Sequence, residues 1–459
     1  MNATATSAAA TSSLSFPCQR PAPAERRFSS PAVEATLAEV SAAIADPELA
    51  WMFNNCFPST LDTTVFFEDS DAEGNPDTYV ITGDIPAMWL RDSAAQVWPF
   101  LPLVKDDATL KNMIAGVIRR QARGIVLDPY ANAFYREATL GEWQTDLTQM
   151  LPGVHERKWE LDSLGWFLRL SHGYWKTTGD LSPLDDTWLK AVAAALAVME
   201  VEQDGPARSP YTFMRQGVHN NSLNDYGHGD PVKPCGLVRS AFRPSDDACK
   251  LPFLVPSNAL AAVALTDIGP ILAALGQPEL SAKALRFSQE IRDGLEKVAV
   301  ARHAELGELW SYEVDGFGSS YLMDDANVPS LISLPYLGFC AYDDARYLRT
   351  RAFCLSTHNP YYSVGTVASG IGGPHTGSGS IWPMSLILQA LTSLDDEEIL
   401  TCLRALKATH AGTGFMHESF RAEDPSRFTR KWFAWANTLF GELIVTLHAT
   451  RPHLLKTSL

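Results

Sequence analysis

The sequence has few cysteines, and they follow no metal or disulfide pattern. Seven are scattered over 459 residues: Cys18, Cys56, Cys235, Cys249, Cys340, Cys354 and Cys402. An odd number without C-x-x-C spacing argues against a disulfide framework and against a zinc ribbon. We therefore expect buried free thiols, with a single disulfide bridge as the open alternative.

Long apolar segments are also missing. No run of about 18 apolar residues occurs, so the sequence predicts no membrane-spanning helix and no membrane partner. The first fifteen residues are mostly Ala, Ser and Thr and lack the apolar stretch of a secretory signal. A cytoplasmic location is the expectation, although the compartment is left open.

Positive charge is in deficit. The chain has 37 Lys and Arg against 53 Asp and Glu, which gives a formal net charge of -16. A protein that binds nucleic acid needs a basic surface to meet the phosphates, so no nucleic-acid partner is expected. An acidic surface suits a neutral ligand such as a sugar, and it also promotes solubility.

What the sequence does contain is helical periodicity. Apolar residues recur at helical spacing in twelve segments, at 33–45, 91–103, 107–123, 160–177, 184–203, 257–275, 280–300, 328–337, 343–354, 380–394, 396–409 and 432–450. Strand signals are few, with one at 78–82. Paired helices joined by long loops predict an all-α toroid with the site in loops at one end. An α-solenoid is the alternative, but no fixed repeat supports it. We expect a flexible tail at 1–30 and one domain at 31–459.

The first chemical motif is a loop with two adjacent carboxylates. It reads Phe242-Arg-Pro-Ser-Asp246-Asp247-Ala-Cys249. A proton donor needs a raised pKa, which burial or a like-charged neighbour provides. The loop therefore predicts a general acid, and a solvated turn is the alternative.

A second motif lies near the carboxyl end. Glu418 follows the backbone-freeing Gly412 and Gly414 and stands among aromatic residues, with Arg430 nearby as a cation that favours an ionised carboxylate. An ionised Glu suits a general base that activates water. Two such acidic sites far apart in the chain are the minimum equipment of a glycosidase, provided that the two loops meet.

A third motif has the composition of a sugar-binding loop. In Gly83-Asp-Ile-Pro-Ala-Met-Trp89-Leu-Arg91-Asp92-Ser, an aromatic ring stands beside charged side chains. The alternative is a helix cap by Asp92 with a structural Arg91. Glu160 and Asp162 begin a long helix, where carboxylates favour the positive end of the dipole, and they also have the composition of a pocket.

These motifs resemble glycoside hydrolase family 125, the exo-α-1,6-mannosidases. The resemblance covers about residues 16–450 and is carried by Thr82–Ser93, Lys158–Ser163, Phe242–Cys249, Tyr312–Gly318, Met323–Ser330, Gly372–His375, Met416–Phe420 and Trp432–Asn437. It implies an (α/α)6 barrel and an inverting mechanism that needs no metal and no cofactor. The implied substrate is a mannoside with a terminal α-1,6-linked mannose, from an N-glycan or a mannan.

The resemblance also implies roles for individual residues. Asp246 is the implied general acid, chosen over the adjacent Asp247, and Glu418 is the implied general base. The implied sugar contacts are Trp89, Arg91, Asp92, Asn258, His375 and Arg430.

Two other functions stay open on the sequence alone. An inverting glycoside phosphorylase on the same barrel needs a basic phosphate pocket, for which Arg421, Arg427 and Arg430 are candidates. A mannose-binding protein that has lost catalysis is the non-enzymatic alternative, although both carboxylate sites are present.

Overall fold

The computed structural model describes residues 16–138, 141–217 and 221–459. The helices within these residues are α1 (Pro31–Ala43), α2 (Pro47–Cys56), α3 (Ser59–Thr63), α4 (Leu90–Val97), α5 (Ala108–Leu127), α6 (Leu161–Thr178), α7 (Asp186–Gln203), α8 (Val255–Ala274), α9 (Pro278–Val298), α10 (Ala345–Cys354), α11 (Pro383–Leu391), α12 (Asp396–Thr409) and α13 (Ala434–Thr450). The expected helix-rich, all-α architecture is confirmed.

In the part of the chain that the structure describes, the strands are short and form six small antiparallel sheets. They are β1 (Val65–Glu68), β2 (Asp77–Val80), β3 (Met88–Trp89), β4 (Ala133–Phe134), β5 (Val154–Glu156), β6 (Phe253–Leu254), β7 (Val300–His303), β8 (Gly307–Trp310), β9 (Glu313–Val314), β10 (Ser320–Tyr321), β11 (Tyr362–Val364), β12 (Ser369–Ile371), β13 (Ser380–Ile381), β14 (Ser419–Arg421) and β15 (Asp424–Thr429). The strand expected near 78–82 is β2, which pairs with β1 so that Val80 lies opposite Val65.

Buried and half-exposed helices alternate along the chain. All residues of α8 from Val255 to Leu265 are buried, whereas α9 buries one face, which includes Ala284, Phe287 and Ile291. A helix that is apolar all round belongs inside, and an amphipathic one belongs outside. By length and composition alone α8 could cross a membrane. Its contacts with α6 and α9 and its burial explain that composition as that of a core helix.

The buried helices contact one another in chain order. Helix α4 packs on α6, α6 on α8, α11 on α13, and α13 on α4. Short strands or extended residues lead directly into their amino-terminal ends, as β3 leads into α4 and β6 into α8. The strands β3 and β6 therefore lie at the amino-terminal ends of buried helices.

The prediction of a helix at 328–337 is wrong. The segment forms turns instead, because Pro329 and Pro335 cannot donate helical hydrogen bonds. The Asp324 carboxylate accepts the backbone N–H groups of Leu331 at 2.8 Å and Ile332 at 3.1 Å. Arg169 of α6 donates to a carbonyl of this segment at 3.1 Å, so the turns pack against a buried helix.

The amino-terminal region also differs from the expectation. The sequence predicts a flexible tail at 1–30. Residues 1–15 of that tail lie outside the described residues, but residues 16–30 pack against the helices. Arg20 forms ion pairs with Glu34 and, at 2.7 Å, with the buried Asp62. Ser30 caps α1. Helix α2, which the sequence analysis missed, begins at the capping Asp46. All seven cysteines are free thiols.

Candidate active site

A cavity of about 380 Å³ lies where the amino-terminal ends of the buried helices meet. Asp246 and Glu418 both line it, although they lie far apart in the chain. Of the expected sugar contacts, the same cavity is lined by Trp89, Arg91, Asp92, His375 and Arg430. The structure thus brings the predicted acid, the predicted base and five of the six predicted sugar contacts into one pocket.

Asp246 lies at the tip of a tight turn. Its φ of +67° is in the left-handed region, which a non-glycine residue seldom adopts. The turn is closed by the backbone N–H of Arg243, which donates to the carbonyl of Asp247 at 2.8 Å. The Lys158 ammonium donates to the Asp246 carbonyl at 2.8 Å. This geometry directs Asp246 and Asp247 to different surroundings.

The Asp246 carboxylate is surrounded by ionisable groups. Its side chain is 28% exposed, and the Arg91 guanidinium lies 3.9 Å from Oδ1. Burial raises the pKa of Asp246, but the charges of Lys158 and Arg91 and a hydrogen bond with Glu160 outweigh it and lower the pKa to about 2. Burial raises the pKa of Glu160 well above its ordinary value. The pKa values of these two neighbouring carboxyl groups are thus shifted in opposite directions.

Arg91 connects three further carboxyl groups. Its Nη1 lies 2.6 Å from Glu160 and 3.1 Å from Asp162, and its Nε lies 3.6 Å from Asp92. The Arg91 side chain is 3% exposed, so these partners fix its position. Burial raises the pKa of Asp92, and the positive charge of Arg91 opposes that rise. Arg91 is thus an anchor for the acidic cluster as well as a cavity residue.

The Glu418 side of the cavity is simpler. Glu418 accepts a hydrogen bond from the Thr429 hydroxyl at 2.9 Å, and Arg430 Nη1 lies 3.6 Å from its other oxygen. Arg430 has a φ of +44° and is held by Asp84, which accepts from its Nε at 3.0 Å. Carboxylate, hydroxyl and guanidinium form an arrangement suited to an ionised base beside water.

Gly83 allows the loop before α4 to pack closely against the segment that follows Arg430. It has a φ of +127°, and a Cβ on it would stand 2.2 Å from the carbonyl oxygen of Trp432. Its bridge to Phe433 joins the loop before α4 to the segment that leads into α13. Glycine is required because only it tolerates both the backbone angle and the contact.

Aromatic rings form much of the cavity wall. They belong to Trp89, Trp143, Trp382, Phe433 and Trp435. Apolar ring faces with a few placed polar groups are typical of a pocket for a small, uncharged polar ligand. Such a wall suits the ring of a sugar.

His375 and Asp247 form a pair at the border of the cavity. His375 Nδ1 lies 3.3 Å from Asp247 Oδ1. Burial lowers the pKa of His375, but the hydrogen bond and the charge of Asp247, with those of Asp246 and Glu418, raise it to about 9. Asp247 lines a neighbouring cavity of about 430 Å³ rather than the one shared by Asp246 and Glu418.

Asn258 requires a correction. It does not line the cavity but is fully buried in α8. Its amide oxygen accepts from Val238 N at 2.8 Å, and its amide nitrogen donates to the carbonyls of Val238 and Leu254, both at 2.9 Å. Because these hydrogen bonds occupy its amide group, Asn258 joins the backbone at Val238 to α8 and does not contact a sugar.

Several cavity or supporting residues were missed from the sequence. Asn132 donates a hydrogen bond to the Asp246 carboxylate, and Lys158 donates one to the Asp246 carbonyl. The Arg215 guanidinium lies 3.7 Å from the ring centre of Trp143. Asn132 is a single amide in a loop and belongs to no recognisable motif, so nothing in the sequence indicated its role. Lys158 adjoins the Trp-Glu-x-Asp group, and that proximity was the available signal.

Comparison with known proteins agrees with this geometry. A family model described as metal-independent α-mannosidase (GH125) matches residues 46–445. The Meiotically up-regulated gene 157 protein of Schizosaccharomyces pombe is 46% identical over 97% of this chain and 91% of its own length.

Solved structures are similar as well. A metal-independent α-mannosidase of Streptococcus pneumoniae, in a non-productive substrate complex with α-1,6-mannobiose, is 41% identical with a TM-score of 0.88, covering 93% of this chain and 100% of that one. A GH78 family rhamnosidase of Bacillus sp. GL1 has a TM-score of 0.51 at 12% identity, covering 93% of this chain and 36% of that one, which shows likeness of fold alone. The chain belongs to glycoside hydrolase family 125, the metal-independent α-mannosidases.

Proposed function

We propose that the protein is an inverting exo-α-1,6-mannosidase that releases mannose from the non-reducing ends of α-mannosides. The observation that carries the proposal is that Asp246 and Glu418 line the same aromatic-walled cavity. The α-1,6-mannobiose bound by the Streptococcus pneumoniae relative supports the linkage.

In the proposed reaction Asp246 is the general acid. Its carboxyl proton goes to the glycosidic oxygen as the C1–O bond breaks, and the bonding electrons stay with that oxygen. Glu418 takes a proton from a water molecule whose oxygen attacks C1 from the opposite face. The product is β-mannose. Such a reaction needs about 6.5–9.5 Å between the two carboxyl groups, to leave room for the water.

We also propose that the buried elements close into an (α/α)6 barrel. The contacts of α4 with α6, of α6 with α8, of α11 with α13 and of α13 with α4 support the ring. The turns at 328–338 take the remaining inner position. Asp246 and Glu418 then stand in loops at the end where the inner helices begin.

The phosphorylase alternative has less support. Arg421 donates to the carbonyl of Ser378 at 2.7 Å, and Arg430 is engaged by Asp84. Arginines committed in this way are poorly placed to receive a phosphate dianion.

The decisive experiment is proton NMR of the first sugar released from α-1,6-mannobiose. We expect β-mannose, unchanged by EDTA and independent of phosphate. The α-1,2- and α-1,3-linked mannobioses serve as linkage controls. Initial release of α-mannose contradicts inversion, mannose 1-phosphate as product favours the phosphorylase, and tight binding without release favours the inactive mannose-binding protein.

A further inference from the structure

The acidic cluster around Arg91 contains more carboxyl groups than its cations balance. Asp92, Glu160, Asp162 and Asp246 all lie within 3.9 Å of this one guanidinium. The side chains of Glu160 and Asp162 have no exposed surface. Buried charges that lack a partner are costly, so a cluster of this composition favours at least one protonated carboxyl group.

The contacts of Asn132 indicate where that proton lies. Its single amide nitrogen lies 3.0 Å from Glu156 Oε2, 3.2 Å from Glu160 Oε1 and 3.3 Å from Asp246 Oδ1. An amide nitrogen has only two hydrogens for these three acceptors. Glu160 and Asp246 therefore converge on one amide nitrogen. Two carboxyl groups brought together in this way repel each other when both are ionised, and one shared proton relieves that repulsion.

We propose that Glu160 and Asp246 share one proton, and that Glu160 is the positioning residue that holds this proton until Asp246 delivers it to the leaving oxygen. This rests on the proposed role of Asp246 as general acid. Before substrate binds, the proton resides on Glu160. When a glycosidic oxygen approaches Asp246, the proton moves to Asp246 and then to that oxygen, while the C1–O bonding electrons go to the oxygen. Both carboxylates are then ionised, and a solvent proton restores the pair.

The pKa directions agree with this geometry. An aspartate with a pKa near 2 is ionised at neutral pH and has no proton of its own to give. Burial raises the pKa of Glu160, which favours the protonated form of its carboxyl group.

Other charged groups face the pair from every side. They are Arg91 and Asp92 of α4, Asp162 of α6, Glu156 of β5, Lys158 after β5 and His375 after β12. Burial lowers the pKa of His375, but Asp247 raises it to about 9. His375 is present in all the variants below, so differences between them report on the carboxyl pair.

The test compares Glu160→Gln with Asp162→Asn. Both remove a carboxylate partner of Arg91, but only the first removes the partner of Asp246. Each is assayed on α-1,6-mannobiose and on 2,4-dinitrophenyl α-mannoside, whose leaving group needs no proton. We expect Glu160→Gln to lower kcat on mannobiose about 10²-fold, while the activated substrate loses less than a tenth of that factor. Asp162→Asn should affect both substrates alike.

Equal losses on both substrates in Glu160→Gln, or no loss on either, overturn the shared proton. A wild-type enzyme that releases no mannose from mannobiose overturns the proposed function instead. In that case methyl α-mannoside replaces mannobiose as the substrate with a poor leaving group, and the same comparison still tests the pair.

The pH dependence of kcat/KM is a further readout. If Glu160 had a purely structural role, Glu160→Gln would leave this pH dependence unchanged. In Glu160→Gln the proton can reside only on Asp246, whose pKa the charges of Lys158 and Arg91 hold low despite burial. The alkaline limb of kcat/KM on the substrate with the poor leaving group should therefore move to lower pH in Glu160→Gln. An unmoved limb contradicts the proposal.

An infrared measurement covers the case in which Glu160→Gln does not fold. In the wild type at neutral pH, the protonated-carboxyl band should change when Asp246→Asn is introduced. A band that is unaltered by Asp246→Asn overturns the pair.

Discussion

The two sides of the cavity differ in how their carboxylates are held. Asp246 lies near Arg91, its backbone carbonyl accepts from Lys158, and its carboxylate and that of Glu160 both accept from Asn132, in a dense cluster of buried charge. Glu418 has one hydroxyl donor, from Thr429, and one guanidinium at 3.6 Å. A group that must carry a proton at neutral pH needs neighbours that keep one available. A group that must stay ionised needs only a cation and water.

The two sides of the cavity share one backbone feature, a non-glycine residue with a positive φ. Asp246 and Arg430 both adopt positive φ, and both line the cavity. A non-glycine residue in that region costs on the order of 1 kcal/mol or more, and such residues cluster at functional sites. Backbone strain thus positions the acid itself on one side and the cation of the base on the other.

The largest expected effect is on the base side. Glu418→Gln keeps the size of the side chain but cannot accept the proton of water. We expect turnover of α-1,6-mannobiose to fall by about 10² or more. Steady-state assays measure the loss. Binding of mannobiose, followed by calorimetry, should persist.

A matched variant makes this test sharper. Azide is a nucleophile that needs no deprotonation, and Glu418→Ala leaves space for it. Azide should therefore restore part of the turnover of 2,4-dinitrophenyl α-mannoside and give β-mannosyl azide. Full turnover in Glu418→Gln removes Glu418 from the mechanism.

On the acid side, the comparison is between Asp246→Asn and Asp247→Asn. Asp246 lines the shared cavity and Asp247 does not. Asp246→Asn should lower kcat on mannobiose by about 10² and spare the dinitrophenyl mannoside. Asp247→Asn should affect both substrates to a similar and smaller extent, through His375. The reverse pattern assigns the acid to Asp247.

A stability measurement tests the backbone support of the base side. Gly83→Ala places a Cβ 2.2 Å from the Trp432 carbonyl oxygen at a φ that disfavours alanine. We expect a loss of about 1–3 kcal/mol in the free energy of unfolding, measured by urea denaturation. Gly179→Ala is the control, because its positive φ of +69° is alike but its Cβ meets nothing within 4 Å. Equal losses would show that the close contact contributes nothing.

Much of this molecule was predictable from sequence because its signals are local. Apolar periodicity identified most helices, and the motifs carrying Asp246 and Glu418 identified both carboxylates. The turns at 328–337 were not predictable from periodicity, since two prolines and a distant carboxylate decide their conformation. Asn258 was misassigned for a related reason. Its amide forms hydrogen bonds with the backbone of Val238, which is distant in the sequence, and no sequence pattern predicts such bonds.

The choice between Asp246 and Asp247 was out of reach as well. Adjacent residues share composition and motif, and only the positive φ at Asp246 separates their directions. Asn132 shows the same limit, because a single amide in a loop gains its role from the three carboxylates that converge on it.

The smallest effect concerns His375, which faces both sides. Its pKa is raised from 6.5 to about 9 despite burial, chiefly by Asp247 and then by Asp246 and Glu418. Because the folded pKa is the higher one, the stability it contributes is fully present below pH 6.5 and is lost as the pH rises through about 9. NMR of the imidazole resonances should show a midpoint near 9.

Variants of Asp247 and Glu418 then measure how strongly each side of the cavity raises the pKa of His375. Asp247→Asn should lower the midpoint most, because it removes a hydrogen bond and a charge, whereas Glu418→Gln removes only a more distant charge and should lower it least. A wild-type midpoint near 6.5 contradicts the pairing with Asp247. A larger shift in Glu418→Gln than in Asp247→Asn would mean that His375 belongs to the base side, and that the cavity is divided differently from the contacts described above.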